Sequence, residues 1–169
     1  MKDLHLRALE PLDEMIVRAM HDDFMREEKF EFLLFDGDWN AVLHQSRKLA
    51  RGIDLPEGYV PAAFLLAEVA GEVVGRVSIR YELNDYLRRY GGHIGYAVAA
   101  QHRRKGYASE ILRQSLDLLA RRGLTRALIT CHDKNIGSIR VIENNGGVLE
   151  NKITNGAQLS RRYWINLGG

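Results

Sequence analysis

The chain has 169 residues, of which 46% are hydrophobic and 27% charged, which is typical of one globular domain with its own core. Its 24 basic and 22 acidic residues leave a formal charge of +2, too small for a general attraction to nucleic acid. No apolar run is long enough to cross a bilayer. We therefore expect a single domain over residues 1–169 that binds neither nucleic acid nor a membrane.

Cysteine and histidine usage also limits the possible functions. The single cysteine, Cys131, excludes an internal disulfide framework and is typical of a reducing compartment. The first residues, Met1 to Leu6, lack the apolar segment of a secretory signal, so we expect a cytoplasmic protein. The six histidines are scattered, without a His-x-x-x-His or Cys-x-x-Cys pair, so no metal site is expected.

The first third of the chain predicts one strand and two helices. Leu4, Leu6 and Ala8 alternate with polar residues, as in a strand. Pro11 is placed at a helix start. The apolar stripe expected on this first helix is Leu12, Met15, Ile16, Ala19, Met20 and Phe24. Asp38 is placed to cap a second helix that Gly52 would end.

The middle of the chain predicts a hairpin followed by a further strand. Segments 63–69 and 73–81 are strand-like and are joined by Ala70-Gly71-Glu72, a short turn with glycine. A polar loop, 84–92, then leads into the apolar run 93–100. These segments predict three consecutive strands.

The last third alternates helical and strand-like patterns. Ala108, Ile111, Leu112, Leu116 and Leu119 recur at helical spacing before Gly123. Strand 126–131 follows, then a helix over 135–144 with Ile136, Ile139 and Ile142 facing inward, then strands 148–154 and 161–167 around Asn155-Gly156. The order β-α-α-β-β-β-α-β-α-β-β predicts an α/β protein with one mixed sheet and helices on both faces.

A short basic turn stands between strand 93–100 and the helix that follows it. It reads Gln101-His102-Arg103-Arg104-Lys105-Gly106-Tyr107-Ala108. The unpaired N–H groups and the dipole of a helix start attract anions, phosphate above all. Gly106 would allow a close backbone approach, and three cations precede it. This stretch alone is equally consistent with a solvated turn that only caps the helix.

Two motifs give the chain a family resemblance. Residues Arg103 to Ala108 match the pattern Gln/Arg-x-x-Gly-x-Gly/Ala, and residues Asn135 to Gly147 match a second pattern at its Asn, Ser, Glu and Gly positions. In the second motif Ile142 replaces the usual tyrosine, Asn144 a lysine and Gly147 a phenylalanine. The chain resembles the GNAT superfamily of acyl-CoA-dependent acyltransferases over residues 4–167. Segments 58–61, 75–80 and 92–96 resemble a bacterial subgroup of predicted acetyltransferases without a defined substrate.

The resemblance implies a fold and an activity. The fold is a single GNAT domain with a mixed, mostly antiparallel sheet of six to seven strands that splays between the fourth and fifth strands. The implied activity is transfer of an acetyl group from acetyl-CoA, as co-substrate, to a primary amine of a small molecule or peptide, by direct attack in a ternary complex. Because Ile142 cannot donate a proton, a non-catalytic acyl-CoA-binding module is the alternative. The C-terminal strands of this family often form dimers, which makes a homodimer an expectation.

The resemblance also implies which residues bind CoA. The backbone of 104–108 would hold the pyrophosphate, and the main chain of 96–98 the pantetheine arm. Arg103 and Arg104 would reach the ribose phosphate or remain in solvent, and Asn135 would bind pantetheine or only cap a helix. The implied CoA-binding residues are Tyr96, Ala97, Val98, Arg103, Arg104, Lys105, Gly106, Tyr107, Ala108, Asn135 and Ser138.

The catalytic groups are less defined by the resemblance. The backbone N–H of Val98 would polarise the thioester carbonyl. Ser138 is the candidate proton donor to the leaving sulfur, which could also leave unaided. The candidate general bases are His93, Tyr96, Glu82 and His132, of which the histidines suit proton transfer near neutral pH. A structural role for each histidine, and a water chain as the base, remain alternatives.

Segment 27–38 would cover the acceptor pocket in this fold. It combines five acidic residues with Phe30, Phe32 and Phe35. Its carboxylates could attract a cationic amine, which predicts a basic acceptor. The alternative is a solvated loop whose aromatic rings belong to the core.

Overall fold

The computed structural model describes residues 3–168, which contain seven strands and four α-helices. The strands are β1 (Leu4–Ala8), β2 (Ala62–Val69), β3 (Glu72–Arg80), β4 (Ile94–Val98), β5 (Arg126–His132), β6 (Val148–Asn155) and β7 (Gln158–Asn166). The helices are α1 (Glu14–Glu28), α2 (Trp39–Arg51), α3 (Tyr107–Arg121) and α4 (Ile136–Asn144). This is the predicted element order. None of the helices in the described part of the chain is both long enough and apolar enough to cross a membrane.

The strands form two antiparallel sheets, where the element order had predicted one mixed sheet. The first sheet has the order β1-β2-β3-β4 and the second the order β5-β7-β6. Strands β4 and β5, which the predicted sheet would have paired, have no ladder between them in residues 3–168. The predicted splay is therefore complete enough to divide the sheet in two.

The two sheets touch at one end of this splay. The His93 N–H donates to the Leu128 carbonyl at 2.7 Å, and the Leu128 N–H donates to Nδ1 of His93 at 2.9 Å. Gly92 precedes this contact with φ +64°, and a Cβ there would lie 2.5 Å from the Leu128 oxygen. Only glycine tolerates both that conformation and that approach. Beyond this point β4 and β5 diverge.

Helices cover both faces of the first sheet, as predicted. One apolar cluster places α3 and α4 against one face, with Ile111, Leu119 and Ile142 fully buried. A second places α1 and α2 against the other face, around Phe24 and Phe32. Residues of β2 alternate between the clusters because successive side chains of a strand point to opposite faces.

Several predicted turns and caps are confirmed. Asp38 accepts the Ala41 N–H at 2.9 Å at the start of α2, and Gly52 ends that helix in the left-handed conformation. Ala70 and Gly71 both have positive φ, +52° and +80°, as a two-residue hairpin turn requires. The predicted loop at 84–92 contains one π-helical turn, Leu87–Gly91.

The predicted apolar stripe of α1 is partly wrong. Val17, Met20 and Phe24 are buried, whereas Leu12 and Met15 are 95% and 86% exposed. A 3₁₀ turn, Pro11–Asp13, precedes the helix and turns Asp13 inward to an ion pair with Arg7 at 2.8 Å, which sets the buried face. In α4, Ile136 is similarly exposed because it is the first residue after the Asn135 cap.

Candidate active site

A cavity of about 840 Å³ occupies the opening between β4 and β5. Its walls come from β4, β5, the turn before α3, the start of α4 and the segment that follows α1. At the C-terminal end of β4 it is bounded by the basic turn, and at the N-terminal end by Gly91, Ile94 and Gly95. We call these the turn end and the Gly95 end. Most of the predicted site residues lie along this cavity.

The turn end is built from backbone. Arg104 and Gly106 both adopt the left-handed conformation, with φ +61° and +82°, which is costly for arginine and turns the chain sharply into α3. No side chain of residues 3–168 caps α3, whereas Asp38 and Asn135 cap α2 and α4. Within that range the first N–H groups of α3 therefore have no intrahelical or capping partner, and Gly106, Tyr107 and Ala108 line the cavity. This geometry favours the anion site over the simple capping turn.

The cations of this turn are used in different ways. Arg103 donates from Nε to the Val98 carbonyl at 2.9 Å and forms an ion pair with Glu28. Its guanidinium is thus held by the end of α1 while it remains exposed at the cavity wall. Contact with the ribose phosphate, or with solvent alone, stays a prediction for this residue. Arg104 lines the cavity and is exposed, whereas Lys105 is exposed outside the cavity wall.

The free edge of β4 is formed by alternate residues. The Arg80 N–H donates to the His93 carbonyl at 2.7 Å, and the Ala99 N–H donates to the Val74 carbonyl at 2.9 Å. In this register the backbone N–H and C=O groups of the odd-numbered residues of β4 point towards β3. In an antiparallel strand the even-numbered groups then point the other way, towards β5. The backbone of Tyr96 and the N–H of Val98 are therefore oriented as the predicted main-chain role requires, and that role stays a prediction. The backbone groups of Ala97 are engaged with β3 and are not available for it.

Tyr96 places a hydroxyl inside the cavity. That oxygen is buried and has no well-aligned hydrogen-bond partner within residues 3–168. Burial raises the Tyr96 pKa to about 12, and the neighbouring Ser138 opposes this only in part. The phenol is therefore neutral at physiological pH and is able to donate a proton. The sequence analysis had assigned the backbone of Tyr96 to CoA binding and had considered its side chain only as a base, not as an acid.

The α4 residues line the same wall. The Asn135 side chain accepts the Ser138 N–H at 3.1 Å, so it acts as the helix cap while also facing the cavity. Ser138 lies beside Tyr96. Ile142 is fully buried in the core and does not line the cavity. The position that carries a tyrosine in the family motif is thus structural here.

Of the four candidate bases, two line the cavity and two do not. His93 is buried outside the cavity wall and accepts the Leu128 N–H, and burial lowers its pKa to about 4. It joins the two sheets and is unsuited to accept a proton at neutral pH. Glu82 is exposed and also lies outside the wall, whereas Tyr96 and His132 line it.

The segment at 27–38 follows the second of the two predictions. Of its five acidic residues only Glu28 lines this cavity, where it is paired with Arg103. Glu31 and Asp36 are exposed, and Asp38 caps α2. Phe32 is fully buried in the core, while Phe30 reaches the cavity. The acidic residues therefore do not form an anionic pocket.

Sequence analysis missed two arginines that line the Gly95 end. Arg76 is 4% exposed, and its Nη1 and Nη2 donate to the carbonyls of Gly95 and Glu31, both at 3.1 Å. Burial, and then the charge of Arg80, lowers the Arg76 pKa to about 9. Arg80 donates to the carbonyls of Gly91 and Gly92, and burial lowers its pKa as well. The available signal was the presence of arginines inside an otherwise apolar central strand.

Metal chemistry has no ligand set in the described part of the chain. Residues 3–168 contain no group of three or more His, Cys, Asp or Glu side chains placed to hold a metal ion. Cys131 lines the cavity, and burial raises its pKa to about 11, so its thiol stays protonated and unreactive.

Comparison with known families agrees with this arrangement. The family model described as "Acetyltransferase (GNAT) domain" matches residues 3–148, most of the chain. The chain belongs to the GNAT acetyltransferase family. No curated protein matches the sequence.

Solved GNAT structures share the fold at low sequence identity. RimJ of Mycobacterium smegmatis, in complex with CoA-disulfide, has a TM-score of 0.73 and 21% identity, covering 96% of this chain and 81% of its own. Spermidine N-acetyltransferase of Vibrio cholerae, in complex with CoA and spermine, has a TM-score of 0.68 and 20% identity, covering 97% and 95%. The putative acetyltransferase YncA of Salmonella typhimurium, with acetyl-CoA, has a TM-score of 0.67 and 16% identity, covering 98% and 94%.

Proposed function

We propose that this GNAT protein transfers the acetyl group of acetyl-CoA to a primary amine of a small molecule or peptide, in a ternary complex. The observation that carries the proposal is one cavity with two complementary walls. An uncapped helix start with two left-handed residues forms its turn end, and the free edge of β4 forms its side. The first suits a pyrophosphate and the second an extended arm with amide groups.

The residues present fit acetyl-CoA as co-substrate. The N–H groups at the start of α3 and the exposed Arg104 would hold the phosphates. The N–H and C=O of Tyr96 and the N–H of Val98 would pair with the pantetheine amides and the thioester. Acetyl-CoA supplies an activated acetyl carbon, which forms an amide bond to the amine as its C–S bond breaks.

Val98 and Tyr96 are assigned separate parts of this exchange. The Val98 N–H, which lies at the strand edge without a partner in residues 3–168, donates to the carbonyl oxygen as negative charge develops there. The Tyr96 hydroxyl, with Ser138 beside it, donates a proton to the leaving sulfur. The proton that the sulfur gains balances the proton that the amine loses. Tyr96 would thus take the role of proton donor that the family motif gives to a tyrosine at the position of Ile142.

Proton removal from the amine is assigned to His132 or to water. His132 lines the cavity and is exposed, so it can exchange its proton with solvent. His93 is excluded from this role by its position and by its bond from the Leu128 N–H. The pH dependence of kcat/KM in the wild type and in His132→Gln distinguishes the two bases. If His132 is the base, the substitution removes one ionisation from the pH profile. If water is the base, the two profiles have the same shape.

Calorimetry with CoA, followed by CoA release from acetyl-CoA with a panel of primary amines, tests the proposal. Micromolar CoA binding together with amine-dependent release of CoA supports an acetyltransferase. CoA binding without turnover of any amine would favour a non-catalytic acyl-CoA-binding module. A protein that does not bind CoA would contradict both.

A further inference from the structure

Arg76 and Arg80 lie on the same face of β3, four residues apart, and meet at one residue of β4. Nη1 of Arg76 donates to the Gly95 carbonyl. A Cβ placed on Gly95 would lie 3.5 Å from Nη2 of Arg80. The two guanidinium groups therefore flank Gly95, which is next to Tyr96, and both line the cavity.

No carboxylate of residues 3–168 forms an ion pair with either arginine. Their hydrogen-bond acceptors are uncharged carbonyls, and Nε of Arg76 is buried without any partner in the same part of the chain. By contrast, Arg7 pairs with Asp13 and Glu68. A buried charge is costly unless an opposite charge compensates it. The Gly95 end thus holds two cations whose counter-ion is missing from the described chain.

The surroundings of Arg76 suit a small planar anion. Its guanidinium carbon lies 4.7 Å from the ring centre of Phe30 and 5.4 Å from that of Phe64, so aromatic faces enclose it. Its Nε–H has no partner within residues 3–168, and the charge of Arg80 is close enough to lower the Arg76 pKa further. A guanidinium presents coplanar N–H donors that match the two oxygens of a carboxylate.

We propose that the acceptor carries a carboxylate in addition to its amine, and that Arg76 and Arg80 bind this carboxylate at the Gly95 end of the cavity. The proposal rests on the proposed acetyltransferase function, whose reacting groups are Tyr96 and Val98. Gly95 is three residues from Val98, about 10 Å along a strand. A free amino acid, or a similarly small amino carboxylate, would fill part of this distance with its amine directed towards Val98, and the hydrogen bonds of its carboxylate and the acetyl group beside Val98 would fill the rest.

The same charges select against polyamines. The neighbouring Vibrio cholerae enzyme is a spermidine N-acetyltransferase. In this chain the unpaired charges at the Gly95 end are positive, and the single acidic residue of the 27–38 segment that lines the cavity is already paired with Arg103. A polycation would be repelled at the position where a carboxylate is attracted.

Two pairs of amines that differ by one carboxylate test the proposal: L-phenylalanine with phenethylamine, and L-lysine with cadaverine. CoA release from acetyl-CoA gives kcat/KM for each. We expect the wild type to prefer the carboxylated member by at least about tenfold. Arg76→Met and Arg80→Gln should each reduce this preference towards one, because each lowers kcat/KM more for the carboxylated amine than for its partner. Arg89→Met, an exposed arginine outside the cavity wall, is the matched control.

A binding measurement separates this proposal from the activity on which it rests. N-acetyl-L-phenylalanine and N-acetylphenethylamine are titrated into CoA-saturated protein by calorimetry, which requires no turnover. If CoA binds but neither arginine variant changes the relative affinity of the two compounds, the carboxylate site is wrong and the proposed function stands. O-phosphoethanolamine as a better acceptor than both amino acids would overturn the assignment of a carboxylate. Absence of CoA binding would instead contradict the proposed function itself.

Discussion

The two ends of the cavity present different kinds of hydrogen-bond donor, each proposed to bind an anion. At the turn end the donors are backbone N–H groups, aimed by two left-handed residues and the start of α3, and the side chain of Arg103 is neutralised by Glu28. At the Gly95 end the donors are two buried guanidinium groups held by carbonyls. The first end depends on local chain conformation and has a sequence motif. The second depends on which side chains the sheet brings together, and no motif describes it.

Tyr96 lies between the two ends, and its loss should produce the largest effect. Tyr96→Phe removes only the hydroxyl assigned as proton donor, so we expect kcat to fall about 100-fold. The KM values for both substrates should change little, because neither end is altered. Steady-state kinetics with Tyr81→Phe, a tyrosine outside the cavity wall, provides the control. A kcat within about threefold of wild type would show that the sulfur leaves without this acid.

His93 links the two sheets at the point where β4 and β5 begin to diverge, and its contribution to stability should depend on pH. Burial lowers its pKa from 6.5 to about 4, so the unfolded chain takes up a proton at a higher pH than the folded chain. The stability it contributes is complete above pH 6.5 and is lost as the pH falls to 4, on the order of 3 kcal/mol. Urea unfolding at pH 7 and 4.5 should show a smaller pH dependence for His93→Gln than for wild type. His132 is exposed, so His132→Gln should retain the wild-type pH dependence. The same change in the free energy of unfolding between pH 7 and 4.5 in all three proteins would contradict this account.

Gly106 tests whether conformation alone builds the turn end. Gly106→Val and Gly58→Val place the same side chain at nearly the same φ, +82° and +83°, so each should lose roughly 1–3 kcal/mol of stability. Only Gly106→Val should also raise the KM for acetyl-CoA, by about 10- to 100-fold, corresponding to one charge-assisted hydrogen bond of roughly 1.5–3 kcal/mol. Denaturation and kinetics on both variants check this. Equal KM values would place the phosphate site elsewhere.

The Gly95 end should contribute little to stability, in contrast to a paired arginine. Arg7→Met leaves the buried Asp13 without its partner, so we expect a loss of about 1–3 kcal/mol. Arg76→Met removes a buried charge that has no counter-ion, and the free energy of unfolding should stay within about 1 kcal/mol of wild type or rise. Urea unfolding without ligand compares the two. A loss for Arg76→Met as large as that for Arg7→Met would make Arg76 a structural residue.

Local features of the site were predictable because their causes are local. The basic turn, the start of α3, the Asp38 cap and the Ala70–Gly71 turn each depend on a few consecutive residues. The same applies to the element order, since hydrophobic periodicity is read within each segment. The prediction of the buried face of α1 was partly wrong because apolar residues occur on more than one side of that helix. The buried ion pair between Asp13 and Arg7 determines which side faces the core.

Other features depend on residues that are distant in the sequence. Arg103 is engaged by Glu28, 75 residues earlier, and Arg76 by the Gly95 and Glu31 carbonyls. His93 changed from a candidate base to a structural link because Leu128 meets it. Ala97 lost its predicted role because pairing with β3 uses its backbone groups.

The sequence by itself determined the order of the elements, the family and the turn proposed to bind phosphate, because turn chemistry, periodicity and helix ends act over a few residues. Only the tertiary structure decided which charges of the cavity lack a counter-ion within residues 3–168 and which hydroxyl is buried in the cavity wall. Pairing, burial and the direction of a strand edge are properties of surfaces that meet, and segments far apart in the chain supply those surfaces.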